Sequence, residues 1–135
     1  MAATRALAQF VANTNAADVP DAVLHQGKRC IINLFAVALH GTQDAAASIM
    51  RDVFDAEGGR GRATVLGLAR RTSLKNAALI NGLLAHVDDF DDTLLPTVLH
   101  PSAPTILAAL AVVEQQQASG HDFLLASVRN CRLTP

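Results

Sequence analysis

A chain of 135 residues, half of them hydrophobic, 17% charged and carrying a formal net charge of -1, is about one domain long and rich enough in apolar side chains to form a core. That balance excludes a disordered polyelectrolyte, and Lys and Arg residues scattered along the chain leave no electrostatic footprint for nucleic acid. No run reaches the roughly 18–20 apolar residues of a membrane span. Cys30 and Cys131 are too few and too far apart for a disulfide framework or a zinc site, which fits a reducing cytoplasm.

The order of residues reads as helices with few interruptions. Met1 to Ala17 has one Arg and no acid, only a weak transit-segment signal, and nothing there reads as a secretory leader. Leu7, Phe10 and Val11 lie at i, i+3 and i+4 and predict a first helix over about Thr4 to Asn13. Pro20 suits the first turn of a second helix, whose residues Cys30 to Leu39 are almost wholly apolar and which Gly41 stops. Such a helix should be central. A third is predicted from Asp44 to Glu57, ended by Gly58-Gly59, and Gly59-Arg60-Gly61-Arg62 is either a weak anion loop or an ordinary surface connection. Ala63 to Leu66 is the one candidate strand, too short to make a sheet alone.

Ser73 is a good cap for a fourth helix from Leu74 to His86, on which Ala77, Ala78, Gly82 and Ala85 would let neighbours approach closely. Ser102 is the expected cap of a fifth, apolar on every side from Ile106 to Val113 and ended by Gly120. A last helix begins near His121-Asp122 and loses its pattern by Asn130. The expectation is an all-α fold: one helical domain over residues 1–135, a bundle of five or six helices with short loops and at most one very short strand.

Chemistry concentrates between the fourth and fifth helices. His86-Val87-Asp88-Asp89-Phe90-Asp91-Asp92-Thr93 and His100-Pro101-Ser102 place four carboxylates, two hydroxyls and two imidazoles within 17 positions. Burying so many charges costs several kcal/mol per ion unless each is paired, so the stretch lines a cleft, binds a ligand or forms a solvated turn. Asp88-Asp89-Phe90-Asp91-Asp92 also fits the Asp-Asp-x-x-Asp pattern by which helical prenyl synthases hold magnesium, but the second acidic motif of those enzymes is absent. Carboxylates at a helix C-terminus oppose its dipole, a local rule more often broken for function than by accident. His86 reads by default as a C-terminal cap, whereas His100, held extended before Pro101, is an acid/base candidate. His25, His40 and His121 have no such company and read as structural.

Asn81-Gly82, Ala85 to Thr93 and His100-Pro101-Ser102-Ala103-Pro104 together resemble the MmgE/PrpD family, which includes 2-methylcitrate dehydratase and cis-aconitate decarboxylase. The resemblance runs from about Leu7 to Ala126 and corresponds to that family's N-terminal helical region. It implies a metal-independent lyase of the cytoplasm or mitochondrial matrix, without a cofactor, acting on small di- or tricarboxylates as a homodimer. By similarity His100, Asp89 and Thr93 match catalytic positions, with Asp92, Ser102 and His86 as substrate-binding candidates and no metal ligand.

The family's second, α+β domain, with its lysines, has no counterpart in these residues, in which only Lys28 and Lys75 occur and Tyr is absent. The resulting expectation is a truncated or split lyase, inactive until a C-terminal domain complements it. The alternative is a non-catalytic helical module for interaction or dimerisation.

Overall fold

A computed structural model of the chain describes residues 2–57 and 61–131, and the side chains of all of these except 130 and 131. Six α-helices and a two-stranded hairpin are present among them: α1 (Ala2–Asn13), α2 (Asp21–Gly41), α3 (Ala45–Glu57), β1 (Ala63–Val65), β2 (Arg70–Thr72), α4 (Leu74–His86), α5 (Ser102–Gln116) and α6 (Gly120–Cys131). The mostly all-α architecture expected from apolar periodicity is the one observed. Gly58, Gly59 and Arg60 lie outside the described residues, as do Met1 and residues 132–135, so the suggested anion loop has no structural account.

The core sits where α2, α4 and α5 meet. Leu34, Ile80, Leu84, Ile106 and Leu107 are fully enclosed there, with Phe54 of α3 and Val65 of β1 closing one side. A smaller cluster of Val19, Leu124 and Val128 seats α6 against the start of α2. Gly41 permits the closest approach of α2 to α4, because a Cβ on it would stand 2.0 Å from the Leu84 carbonyl oxygen. Gly82, expected to do the same on α4, has nothing within 4 Å of a built Cβ and instead leaves open space.

Local signals set most of the helix ends. Ser73 accepts a hydrogen bond from the Asn76 amide at 3.3 Å, as a cap should. Asp44 accepts from the Ala46 amide at 2.7 Å just ahead of α3. Two expectations at α5 are corrected. The helix includes Ser102, with Pro101 before it, so the Ser102 hydroxyl is buried rather than capping. Its C-terminus comes at Gln117 in the left-handed region (φ 54°), and Gly120 opens α6 instead of ending α5. There Ser119 and Asp122 exchange side-chain and backbone hydrogen bonds of 3.1 Å, a capping box that the Gly120 signal masked.

The strand at Ala63–Val65 has a partner that sequence reading did not provide. Arg70–Thr72 pairs with it antiparallel, with Thr64 opposite Arg71, around a turn in which Gly67 takes φ +70°. The other edge of β1 is served by side chains. Asn81 of α4 donates to the Thr64 carbonyl at 2.8 Å and accepts from the Leu66 amide at 2.9 Å. Glu114 of α5 accepts from the Thr64 amide at 2.6 Å and its hydroxyl at 2.5 Å. These bonds pin the hairpin to α4 and α5 and leave no backbone group at Thr64 unpaired.

Neither apolar helix is enclosed all round. Ile32 and Leu39 of α2 are 69% and 51% exposed, and Val112 of α5 is 51% exposed.

Candidate functional site

Helix α4 runs out at His86, and the turn after it reverses the chain at Asp89, whose φ of +53° lies in the left-handed region. Asp tolerates that conformation better than most residues. The reversal carries Asp91 back under the helix end. Its side chain is fully buried, while Phe90 beside it is 77% exposed. The chain then crosses an exposed loop closed by the Leu94 amide donating to the Leu99 carbonyl at 2.8 Å, with Val98 at φ +53°, and delivers His100 ahead of α5.

Asp91 is the hub of what results. Its Oδ1 lies 3.0 Å from His86 Nδ1 and 3.1 Å from His100 Nδ1. A carboxylate accepting from both rings places a proton on each Nδ1 and compensates part of its own desolvation through charge-assisted bonds. The rings meet edge to face with centroids 5.0 Å apart. His100 Nε2 lies 3.6 Å from Asp89 Oδ1, so both nitrogens of this one imidazole face carboxylates. Asp91 Oδ2 is buried and has no hydrogen-bond partner.

The imidazoles border a groove of about 610 Å³ between α4 and α5. Leu79, Leu83, Val98 and Leu99 make its walls aliphatic, Gly82 leaves room in its floor, and its lining includes neither Lys nor Arg. The arrangement sets an apolar slot for a small molecule beside two bases, where a proton could move between a bound carbon acid and an imidazole.

The other predicted residues are placed differently. Asp88 pairs with His40 Nδ1 at 2.7 Å, which ties the C-terminal turn of α2 to the loop and gives His40 the company that its sequence context lacked. A second hollow of about 500 Å³ lies beside that pair. Asp92 is half-buried with Oδ1 unpartnered, and its charge acts on Cys30 of α2. Burial pushes the Cys30 thiol up, and Asp92 adds to that. Ser102, 1% exposed, stands near the same thiol without hydrogen-bond geometry. Asp92 and Ser102 therefore point into the protein, while Thr93 is exposed and makes no hydrogen bond among the described residues. With Asp88 paired to His40, Asp92 turned inward, and Asp89 and Asp91 set against opposite nitrogens of His100, the all-carboxylate cluster of the magnesium reading does not form.

Asp91 is the residue that sequence reasoning passed over. Nothing local separates it from its three acidic neighbours, and the backbone reversal that buries it is made by Asp89 rather than by a glycine.

Comparison with known proteins adds an independent finding. The family profile described as the MmgE/PrpD N-terminal domain matches residues 5–130. The chain is also 29% identical, over 133 residues, to the cis-aconitate decarboxylase-like protein oryM of Aspergillus oryzae. That match takes in 93% of this chain and 27% of the relative, so the chain spans about a quarter of that protein's length. No described helix is long and apolar enough to cross a membrane.

Proposed function

Because the chain belongs to the MmgE/PrpD family, we propose that it is the helical part of a lyase acting on small di- or tricarboxylates, of the 2-methylcitrate dehydratase or cis-aconitate decarboxylase kind, in the cytoplasm or mitochondrial matrix. The observation that carries this reading is the pair of imidazoles beside the groove, both held by the buried Asp91.

His100 is the acid/base of the proposal. Its Nδ1 is held by Asp91 and its Nε2 exchanges the proton of a carbon next to a substrate carboxylate, with Asp89 as the nearby partner. Asp91 is a positioning residue. His86 offers a second ring nitrogen to a substrate oxygen, where charge develops as the carbon loses its proton. Thr93 supplies a hydroxyl from the exposed loop. Asp92 and Ser102, turned inward, support the segment from beneath rather than bind the substrate directly.

Electrostatics sets a further requirement. A substrate with two or three carboxylates is repelled by Asp88 and Asp89 unless cations offset them, and the groove lining has none. We therefore assign those cations to a complementing C-terminal domain, in a homodimeric enzyme. The test is turnover of 2-methylcitrate or cis-aconitate by this chain with the C-terminal portion of a relative added in trans. His100→Ala should abolish that turnover with helical content by circular dichroism unchanged. Activity surviving in His100→Ala would end the acid/base assignment.

The second reading, a non-catalytic module for interaction or dimerisation, is favoured by the exposed apolar side chains, among them Ile32, Ile49 and Leu95 at 69%, 61% and 81%. Complex formation without turnover in the same experiment would select it.

A further inference from the structure

The hairpin carries chemistry that the groove between α4 and α5 does not use. Thr64 turns its amide to Glu114 and its carbonyl to Asn81, both away from β2. In an antiparallel ladder, residues directly opposite each other either exchange both of their backbone hydrogen bonds or both face outward. Arg71 stands opposite Thr64, so its own N–H and C=O point away from β1, and no described residue bonds to either. The sheet therefore ends at β2 with a donor and an acceptor open.

The side chains along this edge are cationic. Arg62 and Arg71 are exposed and have no ion-pair partner among the described residues, whereas Arg70 is held by Asp55 of α3. A hollow of about 420 Å³ is bordered by Thr64, Ala69, Arg70 and Arg71. Glu114, held against Thr64, already has one carboxylate oxygen on the Thr64 amide and the other on its hydroxyl. We propose that the edge of β2 docks an extended, acidic segment of a separate protein, which adds to the hairpin as a third strand. Its main chain pairs with the open groups of Arg71, and its carboxylates meet the guanidinium groups of Arg71 and Arg62.

Charge selects this occupant over three others. A second copy pairing edge to edge around Arg71 would set like charges across from one another, and a charged edge is a common means of preventing that pairing. The domain assigned to the groove has to bring cations, the wrong sign for this surface. It would also act at the other end of α5, because Ser102, next to the groove, and Glu114, which holds β1, are about 18 Å apart along the helix. Single-stranded nucleic acid needs aromatic faces on which to stack, and residues 61–73 include none.

The experiment is an amide NMR titration of the isotopically labelled chain with a short peptide that alternates valine and glutamate. The expected shifts centre on Arg70–Thr72. The Arg71 amide, open to solvent in the free chain, should exchange more slowly when the peptide is bound, while the Arg70 amide, turned towards β1, changes little. Arg71→Ala should weaken binding about threefold, as for loss of an exposed ion pair, and Arg71→Glu about tenfold. Arg5→Glu, on α1, should leave it unchanged. A backbone N-methylated peptide of the same charge should not bind, and neither should a version with lysine in place of glutamate. Absence of shifts at Arg70–Thr72 would overturn the proposal, as would equal binding of the N-methylated or lysine peptide, or indifference to both Arg71 variants. Slowing of the Arg71 amide with chain concentration alone would assign the edge to a second copy instead. Displacement of the peptide by the C-terminal portion of a relative would assign it to that domain, and tighter binding of a single-stranded oligonucleotide would assign it to nucleic acid. None of these readouts depends on turnover, so failure of the lyase reading leaves the test intact.

Discussion

Replacing Asn81 by alanine removes the side chain that joins α4 to the open edge of β1, and the cost can be worked from its two hydrogen bonds. The Leu66 amide loses its acceptor at 2.9 Å and the Thr64 carbonyl its donor at 2.8 Å, in a position where Asn81 itself is 1% exposed. A buried backbone group left unsatisfied costs about 1–3 kcal/mol, and partial hydration of the hairpin lowers the sum to about 2–4 kcal/mol. Domains are stable by only about 5–15 kcal/mol, so this is a large fraction. In urea, with a slope near 2 kcal/mol/M, the unfolding midpoint should fall by about 1–2 M.

The Asn81→Asp variant sharpens the test. It keeps an acceptor for Leu66 but sets a carboxylate against the Thr64 carbonyl, so it should be nearly as unstable at neutral pH. Its deficit should narrow as pH falls through the raised pKa of the introduced carboxyl, because the protonated form regains a donor. A midpoint change below about 0.3 M for Asn81→Ala, or an Asn81→Asp deficit independent of pH, would refute the account of the hairpin as pinned by this side chain.

Three other outcomes follow from the packing and the charges. Gly41→Ala should destabilise the chain by about 3 kcal/mol in the same urea assay, because the new methyl meets the Leu84 carbonyl and must push α2 from α4. In a Cys131→Ser background, iodoacetamide at pH 8 should modify Cys30 more slowly than a free thiol, and Asp92→Asn should speed the reaction about twofold or more by removing the nearby charge. The Arg70 guanidinium beside Asp55 holds its carboxyl below the usual range, so the pair's small stabilisation is present above that range and lost as pH falls through the lowered value. Stability of Arg70→Ala should therefore differ from the parent at pH 6 and converge with it near pH 2, as followed by thermal melts.

The helical frame was legible because apolar spacing and capping are local properties. Leu34 and Ala38 in the core, Ser73 as a cap, and the break after His86 all follow from neighbours within a turn or two. Pairings between distant positions were not. Arg70–Thr72 carries three polar residues and becomes a strand only because β1 lies beside it, a tertiary override of weak β-propensity. The site divides in the same way. The stretch from His86 to His100 announced itself by charge density, and the approach of His100 to Asp89 lies within it. The central place of Asp91 and the inward turn of Ser102 depend on how the loop folds back, and the partnership of His40 with Asp88 joins positions 48 apart, neither of which a short motif encodes.

Val98, two residues before His100, is β-branched yet sits at φ +53°. That conformation costs an L-residue about 1–2 kcal/mol, and glycine would adopt it without penalty. The branched side chain of Val98 forms part of the groove wall, so the loop gives up local comfort to keep a hydrocarbon surface next to the imidazole. Relaxing the backbone there would steady the polypeptide while eroding the shape that a guest molecule meets, a trade of rigidity against fit concentrated in one valine.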